Sequence, residues 1–242
     1  KSTYAGSFLG PVWVLLEPLA FMMVLWLFFG IGLRGRGNSD VGGPFVVYLM
    51  LGMTAYFFFS QVFRSSTTLM KNYSYLVRRA DFRLGILPIV NILSDAVSHV
   101  ALLFVVLLIS IFNDVSPSVH YLQLLYYLFA MNLLLLGLGW LVSAFNVFVE
   151  DTEKVVKVLT QFGFWGTPLF WNINIVPADY QWLLKLNPMF YIVMGYRDCV
   201  MYRIWFWEKP YMTLYYWGIC FLFLFTGAIV FKRLRPHFSH VI

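Results

Sequence analysis

Apolar residues in this chain gather into six long runs, 12–33, 45–63, 86–112, 121–149, 155–171 and 211–231, divided by short polar stretches. A helix needs roughly 17–25 mostly apolar residues to cross the hydrocarbon core of a bilayer, and each run lies near or above that length. Lipid offers backbone N–H and C=O groups no partners, so a spanning segment must bond within itself, and helix is the default. The pattern predicts an all-α membrane protein of six transmembrane helices in one domain, 1–242.

The stretches between the runs are unequal. Residues 1–10 are polar and aromatic and too short to span, and are read as the remnant of an N-terminal helix lying in the membrane interface. The chain opens at Lys1 rather than Met, and is read as a mature or trimmed sequence. Residues 35–43 are a Gly-rich loop, and 113–117 a tight turn. The connection at 64–85 is the longest on its side and is read as roughly one short helix. Residues 172–210 contain Pro177, an Asn187-Pro188 break and a short apolar run at 189–201. About thirteen residues cannot cross as a helix. The segment is predicted to form two short helices that dip into the membrane and turn back, or else a lid lying flat on the surface. Irregular backbone at membrane depth is tolerated only against protein or a watery cavity.

Composition strengthens this picture. The 242 residues are 61% hydrophobic and 12% charged, with a mean hydropathy of +0.76; a soluble domain carries about a quarter charged residues. Net charge is +6, which invites a nucleic-acid reading, but the placement of the charge argues otherwise. With both termini cytoplasmic, eleven of the seventeen Lys and Arg residues fall in inner segments and six in outer ones, as the positive-inside rule expects. The basic excess reads as N-in, C-in topology and contact with anionic membrane lipids, with no nucleic acid required. Cys199 and Cys220 have neither metal spacing nor a disulfide pattern.

Candidate chemistry is sparse. Gly30-Ile31-Gly32-Leu33-Arg34-Gly35 matches a dinucleotide fingerprint in letters only, since that motif needs a preceding strand and a following helix. No Gly-x-x-x-x-Gly-Lys-Ser/Thr sequence occurs, so the chain has no phosphate-binding loop of its own. The sequon Asn72-Tyr73-Ser74 falls in a segment assigned to the cytoplasm. Asp95 and His99 are four apart, on one face of the third run. They are read as a structural pair or as part of a transport pathway; a proton relay would need further ionisable groups along the membrane. Glu17, just before Pro18, is read as interfacial anchoring or helix packing. No triad or paired-carboxylate set can be assembled, so catalytic and metal-binding residues are expected to be none. Aromatic residues make up 20% of the chain. An interfacial belt of Trp and Tyr explains part of this, and walls on which sugar rings stack would explain the rest.

These residues add up to a resemblance. Leu9-Gly10-Pro11-Val12-Trp13-Val14-Leu15-Leu16-Glu17-Pro18 resembles the opening of permeases in the type-2 ATP-binding-cassette exporter superfamily. Phe231-Lys232-Arg233-Leu234-Arg235-Pro236-His237-Phe238 is similar to the end of its polysaccharide-exporting branch. Thr167-Pro168-Leu169-Phe170-Trp171, Val176-Pro177 and Asn187-Pro188 resemble that branch's span-five exit and gate region. The likeness covers essentially the whole chain. It implies a homodimer in the bacterial cytoplasmic membrane with one separate ATPase on each subunit, which would bind ATP and Mg, leaving no cofactor in this chain. It implies a lipid-linked polysaccharide substrate such as O-antigen, capsule or teichoic acid. The family's coupling helix maps onto 71–83. The ATPase-coupling residues would then be Lys71, Tyr75, Arg78, Arg79, Asp81 and Arg83, with Glu150 and Asp151 at the neighbouring connection. The remnant before Gly10 would flank the ATPase, and the gate helices map onto 178–186 and 189–201, within an outer gate region at 172–210. The sugar path would pass Tyr56, Phe59, Trp165, Phe170, Trp171, Tyr191 and Tyr196. One position departs from the pattern: Glu150-Asp151 stands where the family often has Arg-Asp.

Two rival readings come from the same residues. One is the same architecture exporting a drug or lipid, against which stands the short connection between the first two runs. The other is a membrane-embedded glycosyl- or acyltransferase, against which stands the missing catalytic cluster.

Overall fold

The computed structural model describes residues 10–32, 41–78 and 82–241. Most of the interfacial segment read at 1–10 lies outside the described residues, as do Leu33, Arg34 and Gly35 of the glycine motif and Arg79 and Asp81 of the coupling set. The described residues form helices and connections with no strand. They comprise α1 (Trp13–Leu25), α2 (Phe45–Thr67), α3 (Leu69–Asn72), α4 (Ser74–Val77), α5 (Ile86–Phe112), α6 (Gln123–Phe148), α7 (Asp151–Gly166), α8 (Gln181–Lys185), α9 (Pro188–Arg197), α10 (Pro210–Leu234) and α11 (Phe238–Val241). α1 continues as a wider π-helical stretch, Trp26–Gly32.

Five helices among the described residues are long and apolar enough to cross a membrane: Trp13–Gly32, Phe45–Thr67, Ile86–Phe112, Val119–Phe148 and Pro210–His237. The run at 155–171 is different. Its helix, α7, has 16 residues, which at 1.5 Å per residue is about 24 Å against a hydrocarbon core of about 30 Å. The cause is local. Pro168 disfavours the helical conformation at the residue before it, and Thr167 turns extended, with φ −95° and ψ 136°. At its other end α7 starts almost directly after α6, with Asp151 and Glu153 in the first turn, where the helix dipole favours acids.

α2 is the central helix, packing on α5, α6, α7 and α9. α6 and α10 run parallel and approach very closely, because Gly137 and Gly227 face each other at their crossing. A Cβ on Gly227 would lie 2.2 Å from the Gly137 carbonyl oxygen. A second, smaller cluster sits at the other end of the chain's polar connections, where Leu69, Met70 and Val77 of the α3–α4 segment meet Ala144, Val147, Phe231 and Phe238. The segment expected to be one short helix is thus two single turns, broken at Tyr73, whose φ of −112° and ψ of 32° leave the helical region.

The segment at 172–210 does fold into two short helices. Asn187 separates them: its side-chain oxygen accepts a hydrogen bond from Met189 N at 3.0 Å and Pro188 occupies the first turn of α9, a capping arrangement that starts a helix sharply. α9 continues as a π-helical stretch, Asp198–Tyr202, and ends at Arg203 in the left-handed region with φ 56°.

Candidate functional site

The feature that organises one end of the bundle is a buried cation. Arg197, at the C-terminus of α9, is fully buried. Its guanidinium carbon lies 3.4 Å over the Tyr48 ring, and it donates to the carbonyls of Tyr48 at 3.2 Å and Leu169 at 2.8 Å. Gly52 makes room for it: a Cβ there would lie 2.6 Å from Nη2. The segment 167–171 is non-helical, so its backbone needs partners from elsewhere. α9 and α2 supply them. Besides Arg197 on Leu169, Asn187 Nδ2 donates to Thr167 Oγ1 at 2.8 Å and the Tyr48 hydroxyl donates to the Trp171 carbonyl at 2.9 Å. α2, the α7 exit and α9 are therefore one hydrogen-bonded unit.

α7 itself is barely covered. Val156 and Thr160 are its buried residues, and Glu153, Lys157, Gln161 and Trp165 are exposed at every fourth position, so they share one stripe. Gln161 lies ten residues from the start of the helix, about 15 Å along the axis. By contrast the exposed surface of α5 is wholly apolar over Val97, Val100, Phe104, Leu108 and Ile111, as a lipid-facing surface requires. α1 is exposed along most of its length and meets α7 where the Phe21 and Phe164 rings lie 6.2 Å apart.

At the opposite end, Lys71 of α3 donates to Glu150 Oε1 at 2.8 Å, directly joining the α3–α4 segment to the N-terminus of α7. The Lys71 ammonium holds the Glu150 carboxyl below the usual carboxylate range. Asp151 pairs with Lys154 one turn on.

The sequence-predicted residues fall into distinct places. Of the aromatic set, Tyr56, Phe170, Tyr191 and Tyr196 are in the core, Phe59 and Trp171 are half-buried, and Trp165 is exposed. The Tyr56 hydroxyl donates to the Thr160 carbonyl. An alanine at Tyr196, which is fully buried, would test packing before it tested any path. In the coupling set, Tyr75, Arg78, Arg83 and Asp151 are exposed and Lys71 is half-buried. His99 is buried, stacks on Phe58 with ring centroids 4.6 Å apart, and its Nε2 lies 2.9 Å from the Tyr196 hydroxyl. Asp95 is half-buried on the same helix and Glu17 is exposed near the start of α1. Arg197 and Asp198, two charges inside the short apolar run at 189–201, are both in the interior. The signal for them was available: an Arg-Asp pair inside an apolar run is costly unless it does something. The stripe on α7 was missed because its polar residues were absorbed into an apolar run.

The described residues thus form a helical bundle with five helices long and apolar enough to cross a membrane, a short polar-striped helix, and a polar connection tied to it by an ion pair. Residues 1–201 match the membrane domain of the ABC-2 type transporter family, and the chain belongs to that family. It is 20% identical over its whole length, and over 91% of the relative, to an O-antigen export system permease protein RfbA of Klebsiella pneumoniae. It is 22% identical, with the same coverage, to the RfbA protein of Myxococcus xanthus. It is 23% identical to the polysialic acid transport protein KpsM of Escherichia coli, over 82% of this chain and 77% of that protein.

Proposed function

We propose that this permease moves a lipid-linked, O-antigen-like polysaccharide across the inner membrane as a homodimer of six-span subunits, driven by two copies of a separate cytoplasmic ATPase. The observation that carries the path is the stripe of Glu153, Lys157 and Gln161 on the exposed surface of α7. An amide facing hydrocarbon without a partner costs several kcal/mol, of order 2–7, so this surface belongs against a wet conduit and a second subunit. α7 is then the fifth of six spans in chain order, completed by the buried segment 167–171 in place of a further helical turn. With both termini cytoplasmic, the α3–α4 end is the ATPase-facing end and the α8–α9 end is the outer gate.

In this reading Lys71, Tyr75, Arg78, Arg79, Asp81 and Arg83 form the coupling surface. Its push reaches the path helix through the Lys71–Glu150 contact. The polymer slides past Trp165, with Phe59 and Trp171 behind it, because aromatic faces stack on sugar rings without demanding register. Tyr56, Phe170, Tyr191 and Tyr196 support that wall from within the core. The full-length similarity to O-antigen export permeases and the charge asymmetry of the loops both support this reading. The test is replacement of Lys157 and Gln161 by Leu in cells that depend on this chain. Surface polysaccharide is expected to fall severalfold at unchanged permease level; undiminished polymer at the surface would sink the proposal.

A further inference from the structure

Lys232 and Arg235, at the end of α10, carry charges that no neighbouring acid offsets. Among the described residues neither meets a carboxylate within ion-pair distance. Arg235 Nη2 donates to the Phe82 carbonyl at 3.1 Å, and Lys232 makes no side-chain hydrogen bond among the described residues. Both line a cavity of about 180 Å³ that opens between the start of α5, α6 and α10, and both are exposed. The rest of its lining is Gly85, Trp140, Ala228 and Phe231. Ala228, Phe231, Lys232 and Arg235 recur at i, i+3, i+4 and i+7, so they form one stripe along the helix, apolar at one end and cationic at the other. Arg233, also exposed, is off that stripe. The Trp140 indole N–H is already used on the Gly85 carbonyl at 3.1 Å, leaving its ring, Ala228 and Phe231 as apolar walls.

This lining selects its ligand. A cation is repelled, and a neutral sugar leaves both charges uncompensated. An inorganic anion answers the charges, but it leaves the apolar walls uncovered and meets exposed cations that salt screens. An anionic amphiphile answers both. Its phosphate accepts from Lys232 and from the Arg235 fork, whose geometry matches phosphate oxygens, and its first carbons lie on the walls. An ethanolamine headgroup brings an ammonium to two cations with no carboxylate in the lining, so a net negative headgroup is favoured. Depth agrees. The 25 residues of α10 extend about 37 Å, against a hydrocarbon core of about 30 Å. Its charged end therefore reaches the headgroups, while Ala228 lies about 6 Å deeper than Lys232. The volume is below the roughly 300 Å³ at which pockets for drug-sized ligands begin, so it takes a headgroup and the start of a chain, with the rest of the lipid in the bilayer.

We propose that this cavity is a binding site for one anionic phospholipid, its phosphodiester held by Lys232 and Arg235. Charge placement along the sequence predicts diffuse contact with acidic lipids; the stripe on α10 makes it one position. The site goes beyond the transport reading and does not depend on which polymer is exported. Through Arg235 and the Phe82 carbonyl, the lipid braces the end of α10 against the stretch that leads from the α3–α4 segment into α5.

The permease in detergent is titrated with dioleoyl phosphatidylglycerol, and retained lipid is counted by native mass spectrometry. Dioleoyl phosphatidylethanolamine is the zwitterionic comparison, and inorganic phosphate is the headgroup charge without chains. Phosphatidylglycerol is expected to be retained over phosphatidylethanolamine by about fivefold or more. Lys232→Gln and Arg235→Gln are each expected to weaken its binding about fivefold, the order of one basic residue's attraction to an acidic membrane surface. Ala228→Trp, which fills the cavity, is expected to abolish it. Arg233→Gln removes the same charge off the stripe and is expected to leave binding unchanged. Equal retention of the two lipids, equal loss in Arg233→Gln, unchanged binding in Lys232→Gln, or displacement of the lipid by millimolar phosphate overturns the site. Should Arg235→Gln or Ala228→Trp not fold, Lys232→Gln decides, since it removes no hydrogen bond among the described residues. Surface polysaccharide is followed in parallel. Lipid binding without export overturns the polysaccharide reading alone, while export without lipid preference overturns this site alone.

Discussion

Lys71 and Glu150, 79 positions apart in sequence, meet at 2.8 Å, so the short helices between α2 and α5 are tied by charge to the first residues of α7. The contact is solvent-exposed, with Glu150's side chain 87% accessible, so it contributes little to stability. Its value is positional. Glu150→Lys is expected to lower ATP-driven export severalfold with little change in melting temperature, and the swap Lys71→Glu with Glu150→Lys to restore it. Equal export in the single and double variants would remove the coupling role. Because the folded carboxyl is held below its ordinary value, the contact is complete above the unfolded carboxylate range. It weakens as pH falls through the depressed value.

The crossing of α6 and α10 supplies a stability prediction with its own control. At Gly227 an added Cβ meets backbone, the Gly137 carbonyl at 2.2 Å, whereas at Gly218 on the same helix it meets nothing within 4 Å. Gly227→Ala is expected to destabilise by about 1–3 kcal/mol or more through overpacking. Gly218→Ala is expected to be neutral or stabilising by up to about 1 kcal/mol, since Gly is a poor helix former. Thermal unfolding of both variants in the same detergent checks the contrast.

Arg197→Lys keeps the charge but cannot reproduce two planar donors aimed at two carbonyls. Leaving the Leu169 or Tyr48 carbonyl unpaired costs about 1–3 kcal/mol each, and α9 should loosen. The neighbouring Cys199 is fully buried in the native chain and is expected to resist a maleimide there and to react in the variant. Cys220 on α10, also buried, is expected to stay protected in both; simultaneous labelling of the two would mean general unfolding instead.

Water contact distinguishes the two kinds of exposed surface. Single cysteines at Gln161 and Trp165, in a chain whose Cys199 and Cys220 are replaced by Ser and Ala, are expected to react with a charged, membrane-impermeant thiol reagent. Cysteines at Val97 and Phe104, on the apolar surface of α5, are expected not to react, because the thiolate needed for reaction does not form in hydrocarbon. The same low reactivity at Gln161 as at Val97 would place α7 against lipid.

Much of this protein was legible in one dimension. Apolar length and the absence of backbone partners in lipid predict helices in the runs at 12–33, 45–63, 86–112, 121–149 and 211–231, and no tertiary information is needed for that. The break at Asn187-Pro188 likewise predicts two short helices, since a capping side chain and a proline act on their immediate neighbours. α7 marks the boundary of such reasoning. Its apolar run extends to Trp171, but the helix stops at Gly166 because Pro168 acts on the residue before it, and what rescues the unpaired backbone beyond is a guanidinium 28 positions away.

Which side chains face inward was decided only by tertiary packing. Tyr56 and Trp165 read alike in sequence, yet one is in the core and the other at the surface, because α2 is enclosed by four helices and α7 is covered along one edge. Arg197 and Asp198 lie in an apolar run too short to cross, and it is the seating of α9 beside α2 that buries them, where Arg197 meets the Tyr48 and Leu169 carbonyls and Asp198 meets Lys209. Sequence alone determined which segments are apolar enough to enter a membrane, since that depends on transfer free energy summed along a run. Tertiary structure decided which polar groups are held in the interior and which are left exposed, since that depends on contacts between segments.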